Sequence, residues 1–60
     1  MKRKEFIRQL RKDGCILHRS GARHDIYINP VNGLKQPVPR HVEIDNQLAE
    51  HIRKHLRLSS

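Results

Sequence analysis

Phe6, Ile7 and Leu10 are the apolar positions in a segment otherwise made of Lys, Arg, Glu and Gln. Their i, i+1, i+4 spacing lies on one face of a helix and predicts a short amphipathic helix from about Lys2 to Lys12. Gly14 reads as the left-handed residue that closes it, and Arg8, Arg11 and Lys12 suit the negative end of its dipole. The pattern then changes period. Cys15 to Ser20 has strand content, Gly21 turns the chain, and His24 to Asn29 is a second strand rich in β-branched and aromatic residues. Pro30 ends that strand, and Asn32-Gly33 is a hairpin-turn signal. Leu34 to Val38 reads as a third strand, placed at a sheet edge because Pro37 cannot donate to a ladder. A loop from Pro39 to Ile44 leads to Asp45, a suitable N-cap. Leu48, Ala49, Ile52 and Leu56 then recur at helical spacing, so a second helix runs to about Arg57 and leaves Leu58 to Ser60 as a frayed tail. The order is α-β-β-β-α, an α+β fold with one three-stranded antiparallel sheet and both helices on one face. The other sheet face is left free to meet a partner.

Composition narrows what such a fold does. The 60 residues make one domain, 1–60, with a thin core, because a chain of this size buries only ~60% of its unfolded surface. The one cysteine, Cys15, excludes an internal disulfide and reads as a small core residue in a reducing, cytoplasmic compartment. A reactive thiol is its alternative. No apolar run approaches the ~18 residues of a membrane span. Lys2-Arg3-Lys4 is not followed by the apolar stretch of a signal peptide. Thirteen Lys and Arg against six Asp and Glu give a net charge of +7, which favours nucleic acid, an acidic protein or anionic lipid as partner. Lipid fits least, since no helix carries a broad apolar stripe with aromatic anchors. Charge serving only solubility is the plain alternative.

The candidate chemistry sits in Gly21-Ala22-Arg23-His24-Asp25-Ile26-Tyr27-Ile28-Asn29-Pro30. Imidazole takes and gives a proton near neutral pH, and a neighbouring Arg can hold a phosphate while it does so. Arg19 and Arg23 lie close to His24, and the glycine turn exposes the strand start. That points to chemistry or binding on a polyanion, with an idle strand-end histidine as the alternative. Asp25 and Tyr27 alternate with His24 and face the other way. Tyr27 reads as half-buried core. Asp25 reads as a solvated surface carboxylate, with a partner arginine or imidazole as the alternative. His51 and His55 have the i, i+4 spacing of a two-histidine metal clamp, but Glu50 and Asp45 lie off that face. They read as a solvated helix surface, and no metal or other cofactor is expected. The N-terminal basic set (Lys2, Arg3, Lys4, Arg8, Arg11, Lys12) and the C-terminal one (Arg53, Lys54, Arg57) likewise read mostly as solvated helix faces.

The element order, the glycine-led turn into His-x-x-Tyr and the Val-Pro-Arg-His before the last helix together resemble the HicA (YcfA-like) toxins. The matching residues are Gly21, His24, Tyr27, Asn29-Pro30, Gly33 and Val38-Pro39-Arg40-His41, and the resemblance runs from Phe6 to about Leu56. Arg23 intervenes where the family has a small residue before its histidine, so the register rests on the distance from His24 to Tyr27. The resemblance implies a double-stranded-RNA-binding-domain-like fold acting as an mRNA interferase, with His24 as the single catalytic histidine and a HicB-like antitoxin that masks it. Neutral His24 would accept the proton of a ribose 2′-OH, with Arg19, Arg23 or Arg40 stabilising the phosphoryl charge and His41 or a water protonating the leaving oxygen. Arg19, Arg23, Lys35 and Arg40 are the expected RNA contacts; binding of DNA by this chain alone is not expected. A non-catalytic RNA-binding module and a pure protein-interaction domain remain as alternatives.

Overall fold

The computed structural model describes residues 1–58 of the chain. Ser59 and Ser60, part of the expected tail, lie outside the described residues. Helix α1 spans Arg3–Lys12, strands β1, β2 and β3 span Ile16–Ser20, His24–Asn29 and Leu34–Pro39, and helix α2 spans Asn46–His55. The sheet is antiparallel in the order β1-β2-β3, so β2 is central and the proline-bearing β3 is an edge. No helix among the described residues is long and apolar enough to cross a membrane.

Alternation along β2 decides which face carries the core. Tyr27 and Asn29 are buried while His24 is exposed, as a period of two requires. Phe6 and Leu10 from α1 and Ala49, Ile52 and Leu56 from α2 meet Cys15, Tyr27, Val38 and Ile44 in one cluster. Burial of each large side chain in it contributes roughly 1.5–3 kcal/mol. Asn29, the buried polar residue of this layer, is fully engaged: its Nδ2 donates to Leu56 O at 2.9 Å and its Oδ1 accepts from Val31 N–H at 3.1 Å. Asn32 Nδ2 donates to the same Leu56 carbonyl at 3.1 Å, so the β2–β3 turn is tied to the end of α2.

Both helices close by the same device. After α1, Gly14 adopts φ +97° and donates to Arg11 O at 3.0 Å, while Cys15 N–H donates to Leu10 O at 2.9 Å. After α2, Arg57 takes φ 57°, with Arg57 N–H bonded to Lys54 O and Leu58 N–H to Arg53 O, both at 3.1 Å. These paired bonds satisfy carbonyls that the helix end would leave open. Helix α2 therefore stops at His55 and does not run on to Arg57. Leu58 is not frayed either, because the reversal packs its side chain against the core. Asp45 occupies the N-cap position of α2 without making a side-chain capping bond. The helix start is held instead by buried Ile44 and by an antiparallel bridge, Lys2 to Glu43, with Ile44 N–H on Met1 O at 2.7 Å and Arg3 N–H on Val42 O at 2.9 Å.

Two arginines expected on solvated helix faces are drawn inward. Arg53 pairs with Asp13 at 2.8 Å, linking α2 to the end of α1. Arg3 belongs to the site described below. A carboxylate within reach explains both, since a paired guanidinium tolerates partial burial that a free one does not.

The left-handed backbone at Arg57 is unfavourable for a residue with a Cβ, and the side chain makes no ion pair among the described residues. Arg57→Gly is expected to stabilise the fold by about 1 kcal/mol, raising the melting temperature by roughly 4–8 °C in a chain this small. Thermal unfolding of the two proteins checks this, and Gly14→Ala should shift the midpoint in the opposite direction.

Candidate nucleic-acid interface at the start of the central strand

His24 is the first residue of β2, exposed on the sheet face opposite the helices. Its backbone is fixed on three sides. Gly21 N–H donates to the His24 carbonyl at 2.7 Å, and a Cβ on Gly21 would lie 2.8 Å from that oxygen, so the turn admits only glycine without rearrangement. Pro39 is the register partner of His24 across β2–β3, and its carbonyl accepts from Arg3 Nε at 2.9 Å. The third restraint comes through Asp25.

Asp25 projects to the helix side, where it holds two arginines. Arg3 Nη2 lies 2.7 Å from its Oδ2, and Arg40 reaches its Oδ1 with Nε at 3.0 Å and Nη2 at 2.7 Å. Arg40 Nη2 also donates to Gly21 O at 2.6 Å. The Asp25 side chain is only 15% exposed, which corrects the reading of it as a solvated carboxylate. A strand face turned towards two guanidiniums removes it from water and supplies charge-assisted bonds in return. Those bonds hold its carboxyl below the ordinary carboxylate range, chiefly through Arg40 and with Arg3 adding to it, against the opposing effect of burial. By contrast, Cys15 is a buried core group, and burial pushes its thiol up, with Asp13 reinforcing it.

A β-bulge sets the second cation of the exposed face. Leu17 pairs with Tyr27, but the next pair is Arg19 with Ile26, leaving His18 as the extra residue. Were His18 paired with Ile26 in a regular ladder, Arg19 would oppose Asp25 on the helix side; with the bulge Arg19 stands across from Ile26 on the His24 face. Arg23 is exposed in the turn immediately before His24. Lys35 is different. It pairs with Ile28, four residues along β2 from His24, which is ~13 Å at strand rise. The structure thus gathers Arg19, Arg23 and Arg40 at the His24 end of the sheet and leaves Lys35 at the other. Between them the open face carries Ile16 (54% exposed), Ile26, Ile28 and Pro37.

Tyr27, 7% exposed, is core, more deeply buried than expected. His51 and His55 stack with ring centroids 3.9 Å apart, and His55 Nδ1 lies 2.8 Å from His51 O. The residue that sequence reasoning missed is Arg3. It is 22 positions from Asp25, within a run of like charges, and no local spacing marks it.

A family model described as "HicA toxin of bacterial toxin-antitoxin" matches residues 3–58. Among curated proteins and among solved structures no match is found.

The depressed Asp25 carboxyl gives a pH signature. A group whose folded pKa lies below its unfolded value of about 3.9 stabilises the fold above that value. The contribution is lost as pH falls through the folded pKa. Asp25→Asn is therefore expected to be less stable than the parent at pH 6, with the gap closing below about pH 4. Melting temperatures of both proteins from pH 6 to pH 2.5 check this; a gap that stays constant with pH would remove the carboxylate's role.

Proposed function

The chain belongs to the HicA toxin family of bacterial toxin-antitoxin systems, and from that membership we propose that it is an mRNA interferase, an endoribonuclease working through His24 in the cytoplasm. The observation that carries the reading is His24 itself, a solvent-open imidazole on a strand start whose backbone is fixed on three sides. Such rigidity keeps a proton acceptor in place for a substrate that arrives from solvent.

In the proposed reaction His24 takes the proton of a ribose 2′-OH. The oxygen attacks the adjacent phosphorus, the P–O5′ bond breaks, and the 5′-oxygen leaves with a proton from His41 or a water. The products are a 2′,3′-cyclic phosphate and a 5′-hydroxyl. Arg19, which shares the His24 face, and Arg23, at the turn, stabilise charge on the phosphoryl oxygens. Arg40 already serves Asp25 and Gly21 and meets a phosphate with its remaining donor, Nη1. Lys35 contacts the strand farther along the sheet. A base in position supplies ~10²–10⁴-fold; with no second acid fixed beside it, turnover is slow.

The partner in this reading is a HicB-like antitoxin that covers His24 and the apolar open face of Ile16, Ile26, Ile28 and Pro37. Binding to the folded toxin alone stabilises it by mass action. The complex should melt at a higher temperature than the free chain and cut RNA far more slowly.

The direct test is His24→Ala. An exposed position without special contacts should change stability by no more than ~0.5 kcal/mol, while cleavage falls by ~10²-fold or more and RNA affinity drops only modestly. Excess chelator should leave the wild-type rate unchanged. A folded His24→Ala protein cutting at the wild-type rate would reject the assignment, and a wild-type chain that binds RNA without cutting it would be a non-catalytic binding module.

A further inference from the structure

A cleft of about 400 Å³ opens next to the His24 turn, lined by Lys2, Arg3, Lys4, Arg40, His41 and Val42. Its charge sets it apart. Four other clefts among the described residues each have a carboxylate in the wall, Asp13 or Glu50, whereas this one is lined by four Lys and Arg residues and no carboxylate. Asp25 is shared by Arg3 and Arg40, and Glu43, which follows Val42 and bridges Lys2, pairs with the Met1 ammonium at 3.5 Å. Lys2 and Lys4 are exposed and make no ion pair among the described residues. Two like charges held at one concave surface repel each other, and a bound anion relieves that repulsion.

The cleft is also built in advance. The Lys2–Glu43 bridge and the Arg3 N–H bond to Val42 O at 2.9 Å fix the start of α1 against the loop that carries His41 and Val42. Little ordering is then needed to bring the lysines and the loop together on one ligand. Val42, 80% exposed, gives the site an apolar patch suited to a sugar ring. The volume lies within the range of small-ligand sites.

Arg40 connects this cleft to the turn of His24. Arg40 lines the cleft, and its Nη2 donates to the Gly21 carbonyl at 2.6 Å, while Gly21 N–H holds the His24 carbonyl at 2.7 Å. Arg40 thus borders the cleft and braces the turn that leads into His24.

We propose that the cleft between the start of α1 and the Arg40–Val42 loop is a phosphate subsite for single-stranded RNA, in which Lys2 and Lys4 bind backbone phosphates flanking the one at His24. The assignment rests on the RNA-cleaving reading above. It adds two residues that the sequence places on a solvated helix face, and it makes the binding site longer than the sheet.

The test uses the His24→Ala chain, which keeps its RNA intact, and a short fluorescent single-stranded RNA titrated over a range of salt concentrations. Each phosphate neutralised on a single strand contributes about 0.7 to the slope of log affinity against log salt. Lys2→Gln with Lys4→Gln is expected to reduce that slope by about 1.4. Arg11→Gln with Lys12→Gln removes the same charge from the other end of α1 and should leave the slope unchanged. An equal loss in both double variants, or none in either, would overturn the subsite and leave only diffuse attraction. Failure of the His24→Ala chain itself to bind RNA at low salt would overturn the RNA reading as a whole, so the two failures are told apart.

Discussion

The carboxylate of Asp25 is where the polar half of this structure converges. One oxygen takes Arg3 from the first turn of α1, and the other takes Arg40 from the residue after β3. Three segments distant in the chain are joined at one point beneath His24. Neither guanidinium stops there, since Arg3 also binds Pro39 O and Arg40 also binds Gly21 O. The strand partner of His24 and the turn before it are thus held by the same two side chains. A chain with a core this thin does not immobilise a strand end by apolar packing alone. Charge-assisted bonds at the sheet margin do that work, and they leave the opposite face of the strand bare.

Strand β2 can be read as two columns. The inner column runs Asp25, Tyr27, Asn29, an ionic joint, a buried ring and an amide that binds the end of α2. The outer column runs His24, Ile26, Ile28 and lies on the sheet face away from the helices. Each inner residue attaches a different part of the fold, which frees the outer column from any structural duty. Six residues therefore hold the molecule together on one side and present a reactive group on the other.

Much of this was legible in the sequence because it rests on local rules. The periodicity of Phe6, Ile7 and Leu10, the glycine at position 14, the apolar alternation of β2 and the proline in β3 each reflect one element's own stereochemistry, and the element order with its sheet and helix arrangement follows from them. What escaped was non-local. Arg3 and Asp25 have no sequence relation, so Asp25 read as solvated and Arg3 as one surface charge among many. Leu58 looked like a tail because nothing in the chain announces that Arg57 will adopt a left-handed backbone. Lys35 was grouped with the arginines near His24 by charge, while strand register puts it at the far end.

The bulge at His18 has a consequence for how this chain tolerates change. Position 18 contributes a count more than a side chain: it is the residue of β1 without a partner of its own on β2, and the bulge it forms lets Ile16 and Arg19, three positions apart, share one face. Loss of that one codon in frame is absorbed, because Leu17 and Arg19 then become neighbours that keep Tyr27 and Ile26 as their partners in an unbroken ladder. Ile16 and Arg19 then stand two positions apart and share the open face by ordinary alternation, without the local twist that a bulge adds. Losing one residue from a strand without a bulge slips its register and turns its side chains over; here the same loss leaves a more regular strand.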